Sequence, residues 1–342
     1  MYALIPLLVI LVGVTAFGLF LVLTEYKPEA EEDSIVIRKS KFPQLQEPIT
    51  LTTYNIGYAC LDRDSDFFMD GGTATTRITY ERTLDNLIGI THQLQDLDSD
   101  IFCLQEVDTA GSRSNNINEL EHMATELFDY NVYFAYDYRA KWVPFPIFHP
   151  LGSAHSGLAV MSKYRLLSSK RIALDGQELF PRSLFLPKRC MVINELALAG
   201  SKKLYIVNTH LSAYDKDGLL RRRQFNDVLG YCSELYDGRS NYVIITGDFN
   251  LLMDDAKRTK DDPAWVDVMP QSLHDSKFKV VYDKTQPSVR SLDKPYIKDI
   301  NFETYIDGFL VSPNINVVNV TTHDFQYRFS DHNPSTLTFQ LK

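Results

Sequence analysis

Polar side chains whose types suit metal binding and proton transfer recur at or just past the C-terminal ends of short β-rich segments. They are Asn55, Glu106, His210, Asp248, Asn250 and Asp307, followed by the pair Asp331-His332 in a loop. The oxygens of Asn, Asp and Glu are the ligands that a hard cation such as Mg²⁺ takes in proteins. Histidines near carboxylates suit general acid–base catalysis at neutral pH. Because catalytic groups gather at strand ends held by a rigid scaffold, the set indicates one shared site.

Other chemistries lack their characteristic residues in this sequence. The four cysteines, at positions 60, 103, 190 and 232, form no CxxC pair and no cluster with zinc-ligand spacing. The sequence also has no GxSxG elbow, no Walker loop and no GxGxxG fingerprint. What remains is metal-assisted attack by water on a phosphate ester.

Apart from His332, each of these residues taken alone fits a purely structural role at least as well. Asn55 could cap a strand end, and Asp248 and Asn250 could form an Asx-type turn. A lone His210 is more often a satisfied, half-buried histidine, and Asp307 could make a structural hydrogen bond. The functional interpretation therefore depends on the set and its order.

The elements that must position these residues alternate between strands and helices. Amphipathic helices are predicted over 80–97 and 217–235, where apolar residues recur at helical spacing. The many adjacent strands favour an α/β sandwich over a plain parallel sheet. Nine β-rich segments are predicted as strands: 49–59, 100–107, 131–138, 156–164, 189–198, 203–211, 241–250, 304–312 and 335–341.

The order of the motifs TYNIG, LQEVD, NTHL, GDFN, YIDGFLVS and SDHNP resembles the endonuclease/exonuclease/phosphatase superfamily. This superfamily includes DNase I-like nucleases, neutral sphingomyelinases and inositol polyphosphate 5-phosphatases. The motifs span residues 52 to 334. The resemblance implies an α/β fold, a four-layered αββα sandwich, with the site at the mouth between two sheets. It also implies a metal-dependent hydrolase of phosphate ester bonds.

The resemblance further implies which residues bind the metal. Asn55 in TYNIG and Glu106 in LQEVD match the metal-binding Asn and Glu of the family. Asp331 in SDHNP matches a residue often placed near the metal. The expected cofactor is Mg²⁺, with Mn²⁺ as a substitute.

The catalytic roles come from the same resemblance. His332 matches the histidine that is usually assigned to activating the attacking water, and Asp307 matches the carboxylate that orients it. Asp248 and Asn250 match residues that hold the nucleophile and the phosphate oxygens. His210 matches a second histidine that contacts phosphate or assists the leaving group.

Several further residues carry weaker expectations, because no motif supports them. Lys141, His155 and Arg290 are candidate phosphate ligands. Arg221-Arg222-Arg223 is predicted to be a solvated helix face. Two aromatic loops, 66–72 and 141–152, could line the substrate mouth or pack against the core, and the second could dip into a membrane.

The N-terminal segment is predicted to be a membrane anchor. Residues 3–23 form 21 positions without a charge, which is long enough to span a bilayer as a helix. No Lys or Arg precedes the run, which favours an uncleaved anchor over a signal peptide. The expected organisation is an anchor over 1–23, a polar linker over 24–45 and one domain over 46–342. The flanking charges favour a cytoplasmic N-terminus and an extracytoplasmic domain.

Composition bears on the substrate. The chain has 342 residues, with 35 Lys and Arg against 44 Asp and Glu, for a net charge of -9. A phosphodiester in a phospholipid is favoured over nucleic acid, whose binding needs cationic side chains. A DNase I-like nuclease, an inositol-type phosphatase and an inert binding module of the same fold stay open. No protein partner is predicted.

Overall fold

The computed structural model describes residues 4–40, 45–75, 78–198, 202–253, 262–263 and 265–342. Five α-helices are formed over this part of the chain. Both predicted amphipathic helices are present, as α2 and α4, and Thr79 caps the first of them by accepting a hydrogen bond from the backbone N–H of Arg82. The helices are Leu4–Leu23 (α1), Tyr80–Leu97 (α2), Glu119–Glu126 (α3), Leu219–Leu235 (α4) and Gln271–His274 (α5).

Sixteen strands lie in the described residues, and each of the nine predicted segments overlaps one of them. The strands are Glu31–Asp33 (β1), Ile35–Arg38 (β2), Ile49–Asn55 (β3), Ile101–Asp108 (β4), Asn131–Val143 (β5), Gly152–Ser162 (β6), Leu166–Ala173 (β7), Cys190–Ala197 (β8), Lys203–His210 (β9), Asn241–Asp248 (β10), Lys279–Val281 (β11), Val289–Arg290 (β12), Glu303–Thr304 (β13), Asp307–Val311 (β14), Ile315–Thr322 (β15) and Ser335–Leu341 (β16).

The strands form two large mixed sheets and one small one. The first sheet has the order β1-β7-β8-β9-β10-β14-β11, and the second has the order β15-β16-β3-β4-β6-β5-β2. Strands β12 and β13 pair separately. In each large sheet one parallel pair, β9 with β10 or β3 with β4, lies among antiparallel neighbours.

Three apolar clusters divide the molecule into four layers. The central cluster joins the inner faces of the two sheets and includes Leu51 and Cys103 from one and Ile206 and Phe309 from the other. A second cluster packs α4 on the outer face of the first sheet. A third packs α2 and α3 on the outer face of the second sheet. The predicted αββα sandwich is therefore confirmed, and burial of both faces explains why its strands are apolar on both sides.

The N-terminal region differs in part from expectation. α1 is long and apolar enough to cross a membrane, and a signal sequence would pass the same test. The segment 24–45, however, is not simply a linker. Strand β1 pairs with β7 at the edge of the first sheet, and β2 pairs with β5 at the edge of the second. Edge strands offer unpaired backbone N–H and C=O groups, so a short polar segment can pair with them.

Gly247, the last residue before Asp248 in β10, is expected to be essential for stability. Its φ is +140°, and a Cβ at this position would lie 1.9 Å from the carbonyl oxygen of Thr209 on β9. Gly247→Ala should therefore lower the free energy of unfolding by about 1–3 kcal/mol or more. Gly230→Ala in α4 is the control, since its Cβ would meet nothing within 4 Å. Urea denaturation distinguishes them, and equal stability of both variants would contradict the expectation.

Candidate active site

Three neighbouring strands bring three of the predicted residues side by side. In the pairing of β9, β10 and β14, Asp248 lies opposite His210 on one side and opposite Asp307 on the other. His210 and Asp248 end their strands, as predicted. Asp307 instead begins β14, and it reaches the same edge because β14 runs antiparallel to β10. The register of the sheet thus assembles groups that are distant in sequence.

His332 and Asp307 form a hydrogen-bonded pair. The Nδ1 atom of His332 lies 2.9 Å from Oδ2 of Asp307, a distance at which the imidazole N–H donates to the carboxylate. Both side chains are buried. Burial by itself lowers the pKa of His332, but the charges of Asp307, Asp331 and Asp248 outweigh it and raise the pKa to about 10. The geometry agrees with the orienting role expected for Asp307.

Asp248 lies at the centre of the group. Its Oδ2 accepts a hydrogen bond from Nδ2 of Asn55 at 3.0 Å and lies 3.4 Å from Nε2 of His210 and 3.8 Å from Nε2 of His332. Burial raises the pKa of Asp248 to about 6, and the nearby charge of Asp307 adds to the effect. Both imidazoles therefore direct Nε2 towards the same carboxylate oxygen, and all three groups line the cavity.

Glu106 is held in an unusual backbone conformation. Its φ is +55°, and the pairing of β4 with β6 shifts register between Leu104 and Val107. A positive φ is uncommon outside glycine and costs free energy, so the surrounding sheet must impose it. The bulge places Oε1 of Glu106 3.9 Å from Nε2 of His210. The strand therefore departs from regular geometry at Glu106, a predicted metal ligand.

The carboxylate of Glu106 fits a divalent cation. Its Oε2 atom is buried and has no hydrogen-bond partner among the described residues. Burial raises the pKa of Glu106 to about 7, because the ionised form loses its hydration. A bound cation would compensate for both. Asn55 lines the same cavity, and its Oδ1 accepts a hydrogen bond from the backbone N–H of Gly57 at 3.0 Å.

A different set of three groups also comes close together. Ligand atoms of Asp248, Asp307 and His332 lie within 4.8 Å of one another, which could suit a metal ion. Two of them, however, already bond each other through Asp307 Oδ2 and His332 Nδ1. The buried Oε2 of Glu106 has no hydrogen-bond partner among the described residues, which makes Glu106 the better candidate for a cation ligand. Asp331, with Oδ2 4.0 Å from Nε2 of His332, lies on the other side of the imidazole, and burial raises its pKa.

Asn250 sits in the turn that follows β10. Its backbone N–H donates to Oδ1 of Asp248 at 2.9 Å, which is the Asx-type turn that the sequence allowed. Its φ of +49° is again left-handed. The side-chain Nδ2 donates to the carbonyl of Leu211 at 3.1 Å. The turn and the functional site are thus the same structure.

Arg221 corrects one expectation. It was predicted on a solvated helix face, but it is buried and donates to the carbonyl oxygens of Asn250, Trp265 and Ala213. It also pairs with Asp215 at 3.2 Å. Since α4 packs against the sheet, one face of the arginine triplet must point inward. Arg221 therefore supports the turn that carries Asn250.

Comparison with known proteins agrees with this geometry. The profile of the endonuclease/exonuclease/phosphatase family matches residues 52–332, which include every residue of the group just described. The chain belongs to this family. Members of the family are metal-dependent hydrolases of phosphate esters, including nucleases and phosphatases. The comparison with curated proteins gave no match.

Solved structures of the family share the fold. A Beutenbergia cavernae family member has 18% identity and a TM-score of 0.61, over 86% of this chain and 71% of that one. The D. rerio TDP2 structure with a single-strand DNA product has 14% identity and a TM-score of 0.56, over 86% and 100%. A mannosyl-6-phosphatase from Bacteroides thetaiotaomicron has 16% identity and a TM-score of 0.53, over 86% and 100%. At these identities the likeness shows the fold alone.

The site of this family member lies in a cavity of about 570 Å³. Asn55, Glu106, His210, Asp248, Asn250, Asp331 and His332 line it. The walls above them are largely apolar and aromatic, and both loops predicted to line a mouth contribute to them. The apolar wall includes Tyr58, Phe67, Phe68, Met69, Tyr138, Val143, Phe145, Leu151, Phe185, Leu186, Pro187 and Tyr214.

The three weakly supported phosphate ligands have different positions. Arg290 lines the cavity, but it is buried and donates to backbone oxygens of Asp62, Ser65 and Ser291. Lys141 and His155 do not line the cavity. Lys141 is exposed on β5, and His155 is half-buried on β6. Of these three residues, Arg290 alone therefore lies near the site, and its hydrogen bonds connect the loop at Asp62 and Ser65 with Ser291.

Two arginines in the cavity wall were missed by the sequence analysis. Arg113 donates to both oxygens of Asp108, at 2.9 and 3.1 Å, and its guanidinium lies 3.8 Å from the centre of the Tyr58 ring. Arg189 pairs with Asp137 at 2.7 Å. Burial, Arg189, His332 and Arg113 together hold the pKa of His210 well below its usual range, so this imidazole is neutral. Arg189 and Asp137 are 52 positions apart, so no local motif marks the pair.

Arg189 is expected to contribute to substrate binding. It lines the cavity next to His210 as a positive charge, and a hydrogen bond to a charged group contributes about 1.5–3 kcal/mol. The double variant Asp137→Asn, Arg189→Gln removes both charges of the ion pair, so neither buried charge is left without its partner. It should raise KM roughly tenfold or more. Arg223→Gln, an exposed position on α4, is the control. Steady-state kinetics and a thermal melt test this, and an unchanged KM in a folded protein would contradict it.

Proposed function

We propose that this chain is a membrane-anchored, Mg²⁺-dependent phosphodiesterase that hydrolyses a phospholipid, as a sphingomyelinase or phospholipase C does. The observation that carries the proposal is the contrast within one cavity. Carboxylates and imidazoles line the same cavity as a larger area of apolar and aromatic side chains. A phosphodiester joined to a lipid presents a charged centre next to an apolar body, which matches both surfaces.

The charges of the cavity support a lipid over a nucleic acid. Nucleic acids gain affinity from Lys and Arg side chains that neutralise phosphates along a groove. Here Arg113 and Arg189 are each paired with a buried aspartate, and Arg290 is engaged by backbone oxygens. The chain as a whole carries a net charge of -9. These features leave little free positive charge to attract a polyanion.

In the proposed reaction a water molecule attacks phosphorus and the ester bond to the leaving alcohol breaks. Glu106, Asn55 and Asp331 would hold Mg²⁺, which supplies charge stabilisation at a phosphoryl oxygen. Asp248 and Asn250 hold the water beside the two histidines, and the carboxylate of Asp248 accepts the proton that the attacking water loses. The protonated imidazole of His332, oriented by Asp307 through Nδ1, stabilises the charge that develops on the phosphoryl oxygens, and the leaving alkoxide takes a proton from solvent. His210, neutral and close to Asp248, contacts the phosphate on the leaving-group side.

A substrate panel tests the proposal. The full chain in detergent micelles or nanodiscs is assayed with Mg²⁺ against sphingomyelin, phosphatidylcholine, plasmid DNA, RNA and an inositol phosphate. Release of a phosphorylated head group from a phospholipid is the expected result. Cleavage of DNA or RNA without phospholipid turnover would indicate a nuclease, and release of inorganic phosphate alone would indicate a phosphatase. Binding without turnover of any substrate would indicate an inert module.

The proposal also includes the topology of the anchor, with the N-terminus in the cytoplasm and the domain outside. Cysteine introduced at Phe128, an exposed position after α3, should react with a membrane-impermeant maleimide in intact cells. The four native cysteines are buried, so they give no background. Labelling only after the membrane is broken would reverse the orientation and leave the chemistry untouched.

A further inference from the structure

The last turn of α1 and the residues that follow it are fixed to the domain beside the cavity wall. Leu21 in α1 is 8% exposed, whereas its neighbours Val22 and Leu23 are 40% and 74% exposed, so Leu21 alone faces the domain in this turn. Glu25 lies 2.8 Å from Nζ of Lys188. The ring of Tyr26 lies 6.3 Å from that of Tyr136, edge to face. Two residues after the end of α1, the chain is therefore bonded to the segment that lines the cavity at Phe185–Arg189.

The chain after these contacts is also held to the domain by hydrogen bonds. The carbonyl oxygen of Glu29 accepts a hydrogen bond from Arg171, and that of Ala30 accepts one from the backbone N–H of Ala173. Strand β1 then begins at Glu31. A flexible linker would let the domain sample a wide range of distances from the membrane. This connection instead holds the cavity wall close to the end of α1.

Two segments at the mouth of the cavity expose large apolar side chains. In the first, residues 139–151, Phe148 is 91% exposed and Ile147 is 74% exposed. In the second, residues 176–189, Leu179 is 82% exposed and Phe180 is 71% exposed. The segments touch each other, since the rings of Phe145 and Phe185 lie 6.3 Å apart and both line the cavity. We call these two segments the apolar rim.

The first segment of the apolar rim is positive in an otherwise acidic protein. Residues 139–151 contain two cations, Arg139 and Lys141, and no acidic residue. The three cations of residues 176–189 are each held in an ion pair, Arg182 with Glu178, Lys188 with Glu25 and Arg189 with Asp137. The whole chain, by contrast, has a net charge of -9. Exposed aromatic and aliphatic side chains bordered by Lys and Arg are typical of surfaces that enter the head-group layer of a bilayer.

We infer that the apolar rim docks on the bilayer that holds α1, so that the cavity opens directly onto the head groups of that membrane. The inference rests on the proposed membrane anchorage and names the source of the substrate: a phospholipid taken from the same bilayer. Phe148, Ile147, Leu179 and Phe180 enter the interface, while Arg139 and Lys141 lie at the level of the phosphates. The Glu25–Lys188 ion pair sets the distance.

The test measures the depth of the rim independently of catalysis. The full chain with cysteine at Phe148 carries an environment-sensitive fluorophore and is reconstituted in phosphatidylcholine vesicles that contain nitroxide-labelled lipid. We expect a blue shift and strong quenching by the nitroxides. The matched control is Phe128→Cys, which is 70% exposed and lies before the start of β5, whereas Phe148 lies beyond the end of this strand. Its label should stay in water and be quenched by iodide.

Several outcomes would overturn the docking. If the fluorophore at position 148 shows the same emission and quenching as the fluorophore at position 128, the apolar rim is exposed to water. A label shielded from iodide but not quenched by lipid nitroxides shows a protein surface on the rim instead. The charge reversal Glu25→Lys should lose most of the lipid quenching, and Glu25→Lys with Lys188→Glu should regain it. Equal quenching in all three proteins would show that the ion pair does not set the position.

Turnover in the same samples separates this inference from the proposed function. Phe148→Ser should lower the ratio of vesicle phospholipid turnover to turnover of soluble bis-p-nitrophenyl phosphate roughly tenfold, because one large apolar anchor is lost, and Phe128→Ser should not. Phospholipid turnover with a rim in water rejects the docking and keeps the function. A docked rim with no phospholipid turnover rejects the function and keeps the docking.

Discussion

Replacing His332 by alanine is expected to reduce turnover of any phosphodiester substrate by about 10²–10⁴-fold, the usual contribution of a positioned acid or base. The imidazole is the only group that connects Asp307, through Nδ1 at 2.9 Å, with the space in front of Asp248, through Nε2 at 3.8 Å, among the described residues. Because it borders a cavity, its removal leaves the core clusters intact. The domain should therefore stay folded, as circular dichroism would show.

A double-mutant cycle tests whether the pair acts as one unit. Asp307→Asn keeps the shape of the side chain but weakens the hydrogen bond to Nδ1, so its loss of activity should be smaller than that of His332→Ala. The double variant should be no worse than His332→Ala alone, because Asp307 acts through the imidazole. Multiplied losses would show independent roles. His122→Ala on α3, outside the cavity, is the control and should keep full activity.

Near wild-type turnover in folded His332→Ala would remove the main support for the assigned chemistry. A complete loss of folded protein would instead point to a structural role for the histidine. The thermal midpoint and kcat of each variant are therefore compared together.

Chelation should abolish activity, and Mg²⁺ or Mn²⁺ should restore it. The reason lies in the buried carboxylate of Glu106, whose Oε2 has no hydrogen-bond partner in the described part of the chain. A bound cation stabilises the folded protein by mass action, so added Mg²⁺ should also raise the thermal midpoint. This second measurement does not depend on turnover. Full activity after exhaustive EDTA treatment would contradict the metal-dependent mechanism.

The variant Glu106→Gln localises the metal. It removes one negative charge and should raise the Mg²⁺ concentration for half-maximal activity by at least about tenfold, since even outer-sphere changes have effects of that size. The Mg²⁺-induced rise in thermal midpoint should shrink in parallel. Glu121→Gln, an exposed position on α3, is the control. An unchanged Mg²⁺ requirement in Glu106→Gln would favour the alternative cluster of Asp248, Asp307 and His332.

The sequence alone determined the sandwich and the members of the central group. Polar residues such as Asn55 and Asp248 lie at the ends of apolar strands. A structural role alone does not explain why several of them occur in the same order as in the family's motifs. The pairing of His332 with Asp307, which are 25 residues apart, was implied by the resemblance of SDHNP and YIDGFLVS to motifs of the family, and the structure places Nδ1 of His332 2.9 Å from Oδ2 of Asp307.

Only the tertiary structure showed how the rest of the chain serves the site. The ion pairs of Arg189 with Asp137 and of Arg113 with Asp108 depend on which strands and loops face each other across the cavity. Arg221 looked solvated because charge runs usually are, but the packing of α4 turned one of three adjacent arginines inward.

The segment 24–45 shows most clearly that the sequence does not reveal contacts between distant parts of the chain. Its acidic and basic residues read as a linker, yet β1 and β2 pair with sheet edges. An edge strand is stabilised by backbone hydrogen bonds to a partner, and these leave almost no trace in side-chain composition. The bond between Glu25 and Lys188 likewise joins residues 163 positions apart. Local chemistry was readable from the sequence because side-chain type determines it, whereas contacts between distant segments exist only once the sheets have formed.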